Sequence, residues 1–286
     1  MQLIDREDGS YDFVRDSENY INFFPDRGGI ITKWILNSEN ILYFDKSRFK
    51  DKNKSIRGGI PILFPICGSL DLQKSLFGNN HLNFVQHGFA RDSKWEYKFD
   101  KQKNSLKLIL TDNQLSIKYF PFSFYLTIDV MIGINSLNFD ISIQNNSKSN
   151  MPVNFGLHPY FNISDFNNIT FISYPLNCQN QKNNNLERTS NSLKNLATGI
   201  DLLMYSSGYL LMRDYGFNRE IKLVNPSPFD ITVIWTEPPR KMICMEPWTS
   251  PRNSLKYDFR KILIPPNSQK EFKALIKVNA LRHISN

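Results

Sequence analysis

The sequence predicts an all-β fold, a large antiparallel β-sandwich, on the basis of three observations. Short runs with an apolar residue at every second position recur along the chain, and clusters of proline and asparagine separate them. No long stretch has the 3.6-residue periodicity of a helix. The 286 residues are 41% hydrophobic and 13% aromatic, which is enough apolar material for one large core. We therefore expect a single domain over residues 1–286, without an internal repeat.

The alternating runs place the strands in chain order. Residues 124–132 (FYLTIDVMI) and 137–143 (LNFDISI) both have period two, and residues 133–136 (GINS) between them predict a hairpin. Further strands are predicted at residues 106–110, 169–172, 221–224 and 231–235. Residues 178–195 are rich in asparagine, glutamine, serine and lysine, which predicts a polar surface loop.

The composition argues against several classes of protein. Residues 1–8 lack a basic start followed by an apolar stretch, and no apolar run approaches 18 residues, so we expect neither a secretory signal nor a membrane span. Cys67, Cys178 and Cys244 are isolated in sequence, which argues against a disulfide framework or a zinc site built from paired cysteines. A reducing, cytoplasmic setting is the expectation that follows.

The net charge of +8 does not by itself indicate a nucleic-acid partner. The lysines are scattered and mixed with aspartate and asparagine, as in residues 49–54 (FKDKNK) and 100–103 (DKQK). No dense basic block and no nucleic-acid-binding motif is present in the sequence. The charge is typical of a solvated lysine-rich surface, and it is also compatible with a small anionic substrate.

One segment combines a carboxylate with rigid and aromatic neighbours. In residues 243–253 (ICMEPWTSPRN), Glu246 follows an apolar run and precedes a proline and Trp248. Burial would raise the pKa of this carboxylate, and a nearby cation such as Arg252 would lower it again. Glu246 is therefore a candidate general base, although it could also simply mark the end of a buried strand.

A second segment has the same construction around a histidine. In residues 155–162 (FGLHPYFN), His158 precedes a proline that stiffens the backbone, and aromatic residues follow. Histidine titrates near neutrality and can give and take a proton, so His158 is a candidate acid or base. A hydrogen-bonded histidine at a strand end is the structural alternative. His81 and His283 lie in a polar loop and at the chain end, where a functional role is less expected.

Two further segments carry polar residues next to glycines. Residues 57–65 (RGGIPILFP) place Arg57 before two glycines, without the Gly-Lys-Ser/Thr ending of a phosphate-binding P-loop. Residues 86–92 (QHGFARD) place His87 and Arg91 in one turn, which the polarity of a surface loop could explain alone.

Taken together and in this order, four segments resemble the aldose 1-epimerase (galactose mutarotase) superfamily. They are residues 57–65 (RGGIPILFP), 86–96 (QHGFARDSKWE), 155–162 (FGLHPYFN) and 243–253 (ICMEPWTSPRN). The resemblance extends from about Arg27 to Ile264 and is strongest to the branch of the glucose-6-phosphate 1-epimerase-like proteins. It implies the galactose mutarotase-like supersandwich, with a sugar cleft on one face.

The resemblance also implies roles for individual residues. His158 matches the family's general acid, and Glu246 matches its general base. Arg57 and His87 match sugar-contacting positions, and Arg91 lies in the same motif as His87. Asp201 matches the family's sugar-contacting aspartate, and Asp214 is the alternative match.

The implied reaction interconverts the α and β anomers of an aldohexose or a hexose 6-phosphate. One group removes the proton of the O1 hydroxyl, the other protonates the ring oxygen, and the ring recloses on the other face after rotation about C1–C2. No cofactor, metal or covalent intermediate is required. The expected partner is a small sugar or sugar phosphate, and the protein is expected to be a monomer or a homodimer that binds neither nucleic acid nor membrane.

Other functions remain open from the residues alone. A noncatalytic carbohydrate-binding or sugar-sensing protein would not need an acid–base pair. A glycoside hydrolase would need a second carboxylate, for which Glu237 is the nearest candidate in sequence.

Overall fold

The computed structural model describes residues 1–71, 76–78, 83–205 and 208–281. The strands in these ranges are β1 Gln2–Asp5, β2 Tyr11–Asp16, β3 Asn19–Phe24, β4 Ile30–Leu36, β5 Glu39–Asn40, β6 Ile62–Leu63, β7 Glu96–Asp100, β8 Ser105–Thr111, β9 Phe124–Ile132, β10 Ser136–Asn145, β11 Met151–Val153, β12 Gly156–Leu157, β13 Tyr160–Asn162, β14 Ile169–Ile172, β15 Asn177–Asn180, β16 Asn185–Arg188, β17 Asp201–Tyr205, β18 Gly208–Asp214, β19 Arg219–Asn225, β20 Ile231–Trp235, β21 Met242–Trp248, β22 Ile262–Ile264 and β23 Ser268–Ala280.

The helices are short. The α-helices are α1 Lys46–Lys50, α2 Thr189–Ser192 and α3 Ser254–Tyr257, and the 3₁₀ helices are Ala90–Asp92, Ser116–Lys118, Phe166–Asn168 and Leu193–Thr198. Among the helices of the described ranges, none has the length and apolar character needed to cross a lipid bilayer.

Two large antiparallel sheets dominate the described part of the chain. The outer sheet has the strand order β14-β18-β19-β23-β10-β9-β8-β7. The inner sheet has the order β16-β15-β17-β20-β21-β12-β6, and β13 also pairs with β21. The strands β1 to β5 form a separate N-terminal sheet, and β11 pairs with β22. This arrangement confirms the predicted all-β, antiparallel sandwich.

The hydrophobic core lies between the outer and inner sheets. Leu108, Ile128 and Phe139 of the outer sheet belong to one buried cluster with Leu157 and Ile243 of the inner sheet. The strands predicted from apolar alternation are present, and the hairpin of β9 and β10 is confirmed by their antiparallel pairing. Period-two patterns therefore marked the strands that contribute one face to this core.

The prediction of a loop at residues 178–195 is wrong. Strands β15 and β16 form an antiparallel hairpin there, and α2 and part of a 3₁₀ helix follow. β16 is an edge strand with largely exposed side chains, so it does not need the apolar alternation on which the prediction depended. Pairing of β15 with β17 stabilises the hairpin through the backbone instead.

Candidate active site

The central strand of the inner sheet presents different residues to its two faces. Successive side chains of a strand alternate, so Ile243 and Met245 face the core between the sheets. Cys244, Glu246 and Trp248 therefore lie on the opposite face. All of β21 is buried, which means that Glu246 is desolvated.

Neighbouring strands extend this face into a continuous row. In the strand registers, Cys244 pairs with Tyr160 of β13 on one side and with Trp235 of β20 on the other. Trp235 in turn pairs with Asp201 of β17. Paired residues point to the same side of a sheet, so two aromatic rings and one carboxylate lie alongside Cys244.

His158 lies between β12 and β13 and faces Glu246. Its backbone N–H donates to the Pro61 carbonyl at 3.0 Å, and its ring stacks on Tyr160 with 4.6 Å between centroids and 6° between planes. Trp235 meets the imidazole edge-on at 6.0 Å. The ring Nε2 lies 3.4 Å from Oε1 of Glu246. The fold thus brings together the two residues that the sequence singled out, although they are 88 positions apart.

The Glu246 carboxylate is almost completely buried, with 1% exposure. Burial, followed by the nearby charge of Asp201, raises the pKa of Glu246 well above its ordinary value. The indole Nε1–H of Trp248 donates to Oε2 at 3.1 Å, and this bond and the Arg252 charge act in the opposite direction. Burial is the larger effect, so the protonated carboxyl is favoured.

The imidazole of His158 is shifted toward its neutral form. Burial, with the positive charges of Arg91 and Arg57 adding to it, lowers the pKa of His158 well below its ordinary value. Together with the raised pKa of Glu246, this direction favours a pair that carries one proton in total. A pair with one proton contains one acid and one base, which is what proton exchange on a bound molecule requires.

His87 approaches the pair from a separate loop. Its ring lies 5.5 Å from that of His158 and 5.7 Å from that of Trp248, between centroids. The Gly68 N–H donates to His87 Nδ1 at 3.0 Å, so the other nitrogen, Nε2, carries the proton of the neutral ring. Burial, followed by the charge of His158, lowers the pKa of His87. His87 is therefore placed as a hydrogen-bond donor.

The backbone at His87 has an uncommon conformation. Its φ of +68° lies in the left-handed region, which residues with a Cβ rarely adopt. Two hydrogen bonds with Gly68 hold it there, because the His87 N–H also donates to the Gly68 carbonyl at 2.6 Å. Such conformations concentrate at functional sites. His81 and His283 lie outside the described residues.

Arg57 is fixed at the rim of this face by Glu237. Its guanidinium donates to the carboxylate in two hydrogen bonds of 2.9 and 3.3 Å and lies over the Trp235 ring, 5.2 Å from the centroid. Arg240 also donates to Glu237 at 2.9 Å. Two arginines thus neutralise Glu237, and nothing in this arrangement makes it the partner carboxylate of a glycoside hydrolase.

Arg91 and Asp201 also lie close enough to act on the pair. Arg91 is only 15% exposed, and its described ion pair is a 3.5 Å contact with exposed Asp92. Asp201 accepts hydrogen bonds from Arg252 and Gln181, both at 2.7 Å. The charge of Asp201 contributes to the raised pKa of Glu246, and that of Arg91 to the lowered pKa of His158.

The rival aspartate lies elsewhere. Asp214 ends β18 in the outer sheet, is fully buried, and accepts hydrogen bonds from Ser164, Gly216 and Phe217. These bonds use its carboxylate to join the turn after β18 to Ser164, 50 residues earlier in the chain. Of the two aspartates, Asp201 is therefore the one on the face that carries Glu246.

Sequence reasoning missed several residues of this face. Tyr160, Trp235 and Cys244 pack around the pair, and none was selected as a site residue. Period two in β21 could have placed Cys244 on the same side as Glu246, since the two are separated by one residue. The contribution of Trp235 depends on strand pairing and has no signal in the local sequence.

Comparison with known proteins gives one matching family and several relatives. The sequence model described as aldose 1-epimerase matches residues 15–277. A protein of Cenchrus ciliaris named "Putative glucose-6-phosphate 1-epimerase" is 30% identical over 154 residues, which cover 50% of this chain and 44% of that protein. The LacX protein of Lactococcus lactis subsp. lactis is 27% identical over 111 residues, 37% of each chain. These matches span less than half the length of either curated relative.

Solved structures share the fold over nearly the whole chain. The Slr1438 protein from Synechocystis sp. PCC 6803 has a TM-score of 0.89 and 30% identity, with 98% of each chain covered. A galactose mutarotase related enzyme from Lactobacillus acidophilus has a TM-score of 0.76 and 18% identity, with 96% of this chain and 98% of that chain covered. Because the family model matches most of its length, the chain belongs to the aldose 1-epimerase family.

Proposed function

From this family membership, we propose that the protein is a mutarotase that interconverts the α and β anomers of an aldohexose or a hexose 6-phosphate. The observation that carries the proposal is the buried pair of His158 and Glu246, whose Nε2 and Oε1 are 3.4 Å apart. An acid and a base at this separation can act on two oxygens of one sugar ring. Simple sugar binding would not require such a pair.

In the proposed reaction, Glu246 acts as the base and His158 as the acid. The neutral pair and the ion pair contain the same single proton, so transfer of that proton across the 3.4 Å gap converts one into the other. Glu246 then takes the proton of the O1 hydroxyl while His158 protonates the ring oxygen, and the C1–O5 bond opens. After rotation about C1–C2, the reverse transfers close the ring. Each partner would contribute about 10²–10⁴-fold to the rate.

The surrounding residues would orient the sugar. His87 would donate a hydrogen bond through Nε2–H, since Gly68 already occupies Nδ1. Asp201, held by Arg252 and Gln181, would accept from a sugar hydroxyl. The aromatic ring of Trp235 would meet the apolar face of the sugar.

The arginines favour a phosphorylated substrate. Arg57 is committed to Glu237, whereas Arg91 has only a 3.5 Å contact with Asp92 among the described residues. A planar guanidinium is suited to bidentate contact with a phosphate. We therefore propose Arg91 as the principal phosphate contact and Arg57 as a secondary one.

Exchange NMR between the anomers of glucose, galactose and glucose 6-phosphate tests both levels of the proposal. Accelerated exchange for at least one sugar supports mutarotation, whereas binding without acceleration would establish the noncatalytic alternative. For the phosphate, Arg91→Met should reduce kcat/KM for glucose 6-phosphate at least tenfold more than kcat/KM for glucose. Equal losses for the two sugars would remove the case for Arg91 as a phosphate ligand.

A further inference from the structure

Cys244 places a thiol beside the acid–base pair, and the proposed reaction does not use it. Its side chain shares a face of β21 with Glu246 and is fully buried. A ring nitrogen of His158, a carboxylate oxygen of Glu246 and the Cys244 Sγ all lie within 4.8 Å of one another. One nitrogen, one oxygen and one sulfur thus form a compact group of potential metal ligands, although the cysteines are isolated in sequence.

We propose that Cys244, His158 and Glu246 form an inhibitory site for Zn²⁺. These are the three ligand types that bind zinc in proteins, at about 2.0–2.3 Å from the ion, which puts tetrahedral ligands about 3.3–3.8 Å apart. His158 and Glu246 already have this spacing at 3.4 Å. The thiol must move inward by at most about 1–1.5 Å from the 4.8 Å limit to complete the set.

The charges of the ligands suit a buried ion. On binding, the thiol and the carboxyl group each release their proton to solvent, and the imidazole binds as the neutral ring. The thiolate and the carboxylate together cancel the two positive charges of the metal, so that the desolvated site stays neutral. The thiolate also selects Zn²⁺ over Mg²⁺ and Ca²⁺, which prefer oxygen ligands.

Metal binding would remove both reactive groups at once. Zn²⁺ would occupy the Glu246 oxygen and the His158 nitrogen, and three protein ligands would leave the fourth position for water or a sugar hydroxyl. This inhibition rests on the proposed mutarotase function, while metal binding itself does not. The two can therefore succeed or fail separately.

The first test measures the metal without catalysis. Co²⁺ added to the purified, metal-free protein should give a thiolate-to-cobalt charge-transfer absorption at a stoichiometry of one, and Zn²⁺ should abolish it by displacement. Cys244→Ala should lose the absorption, and Glu246→Gln should weaken Co²⁺ binding at least tenfold. Cys178→Ala is the matched control, because that cysteine lies in β15 and contacts Ser192.

The second test measures mutarotation with and without Zn²⁺, each variant being compared with its own metal-free rate. Wild type and Cys178→Ala should be inhibited alike, and Cys244→Ala should need at least tenfold more Zn²⁺. Circular dichroism on each variant shows whether it is folded. Cobalt absorption that is missing in wild type or that persists in Cys244→Ala would overturn the site. Loss of the absorption in Cys67→Ala but not in Cys244→Ala would overturn it as well. Absorption dependent on Cys244 in a protein without mutarotation would preserve the metal site and refute the proposed function.

Discussion

The two large sheets of this protein pair their strands by the same rules but differ in how far their strands are buried. In β10 of the outer sheet, buried residues alternate with partly exposed ones, and one face meets water. In β21 of the inner sheet, every residue is buried. Polar residues on the outward face of β10 therefore stay solvated, as in the exposed ion pair of Asp140 with Lys273, whereas Glu246 in the inner sheet is desolvated.

This difference has a chemical consequence. Burial raises the pKa of the Glu246 carboxyl and lowers the pKa of the His158 imidazole. Covering the second face of a sheet is thus the physical step that converts two ordinary side chains into an acid–base pair. The outer sheet supplies the apolar layer on which the inner sheet rests.

The largest expected effect on stability comes from the layer that both sheets share. Phe139→Ala removes a ring with 2% exposure from β10, and the resulting cavity should lower the free energy of unfolding by about 3–5 kcal/mol. Ser142→Ala, on the solvent side of the same strand, should change it by about 0.5 kcal/mol or less. Urea unfolding followed by tryptophan fluorescence measures both. Similar losses for the two variants would contradict the assignment of faces.

The two aspartates offer a direct comparison of the sheets. Asp214→Asn should lower the free energy of unfolding by about 1–3 kcal/mol, because the buried carboxylate accepts hydrogen bonds from Ser164, Gly216 and Phe217, and should leave the KM for sugar unchanged. Asp201→Asn should raise KM and, by removing a negative charge, lower the pKa of Glu246. Steady-state kinetics on both variants measures the two KM values. A raised KM in Asp214→Asn with none in Asp201→Asn would exchange the two roles.

The pH dependence of activity tests the single-proton pair. A second proton must charge the buried His158, whose pKa lies below its ordinary value of 6.5. The loss of activity that accompanies binding of the second proton should therefore occur at a pH below 6.5. Polarimetry of kcat/KM against pH, at constant ionic strength, measures the profile. Loss of kcat/KM on acidification that is centred at or above pH 6.5 would contradict the lowered pKa of His158.

The sequence predicted those parts of the fold that depend on local alternation. The strands β9, β14 and β20 were predicted correctly. Each either alternates polar and apolar side chains between its two faces or forms a compact apolar run. The hairpin of β15 and β16 was missed, since polar strands at a sheet edge are held by backbone pairing, which leaves no mark in the side chains.

The candidate site was predictable in its residues but not in its geometry. His158 and Glu246 stood out because prolines and aromatic residues flank them. The ion pair of Arg57 with Glu237, 180 residues away, arises only when the loop after α1 meets the end of β20. The same is true of the Cys244 thiol, whose proximity to His158 follows from the register of β13 with β21.

The central claim is that Glu246 is a catalytic base because the inner sheet buries it next to His158. The most direct test is anomer exchange by Glu246→Gln, with Glu220→Gln as the control in β19 of the outer sheet, where the carboxylate pairs with Arg213. The account predicts that Glu246→Gln loses about 10²–10⁴-fold in kcat while remaining folded, and that Glu220→Gln keeps wild-type activity. Near-normal exchange by folded Glu246→Gln would contradict it.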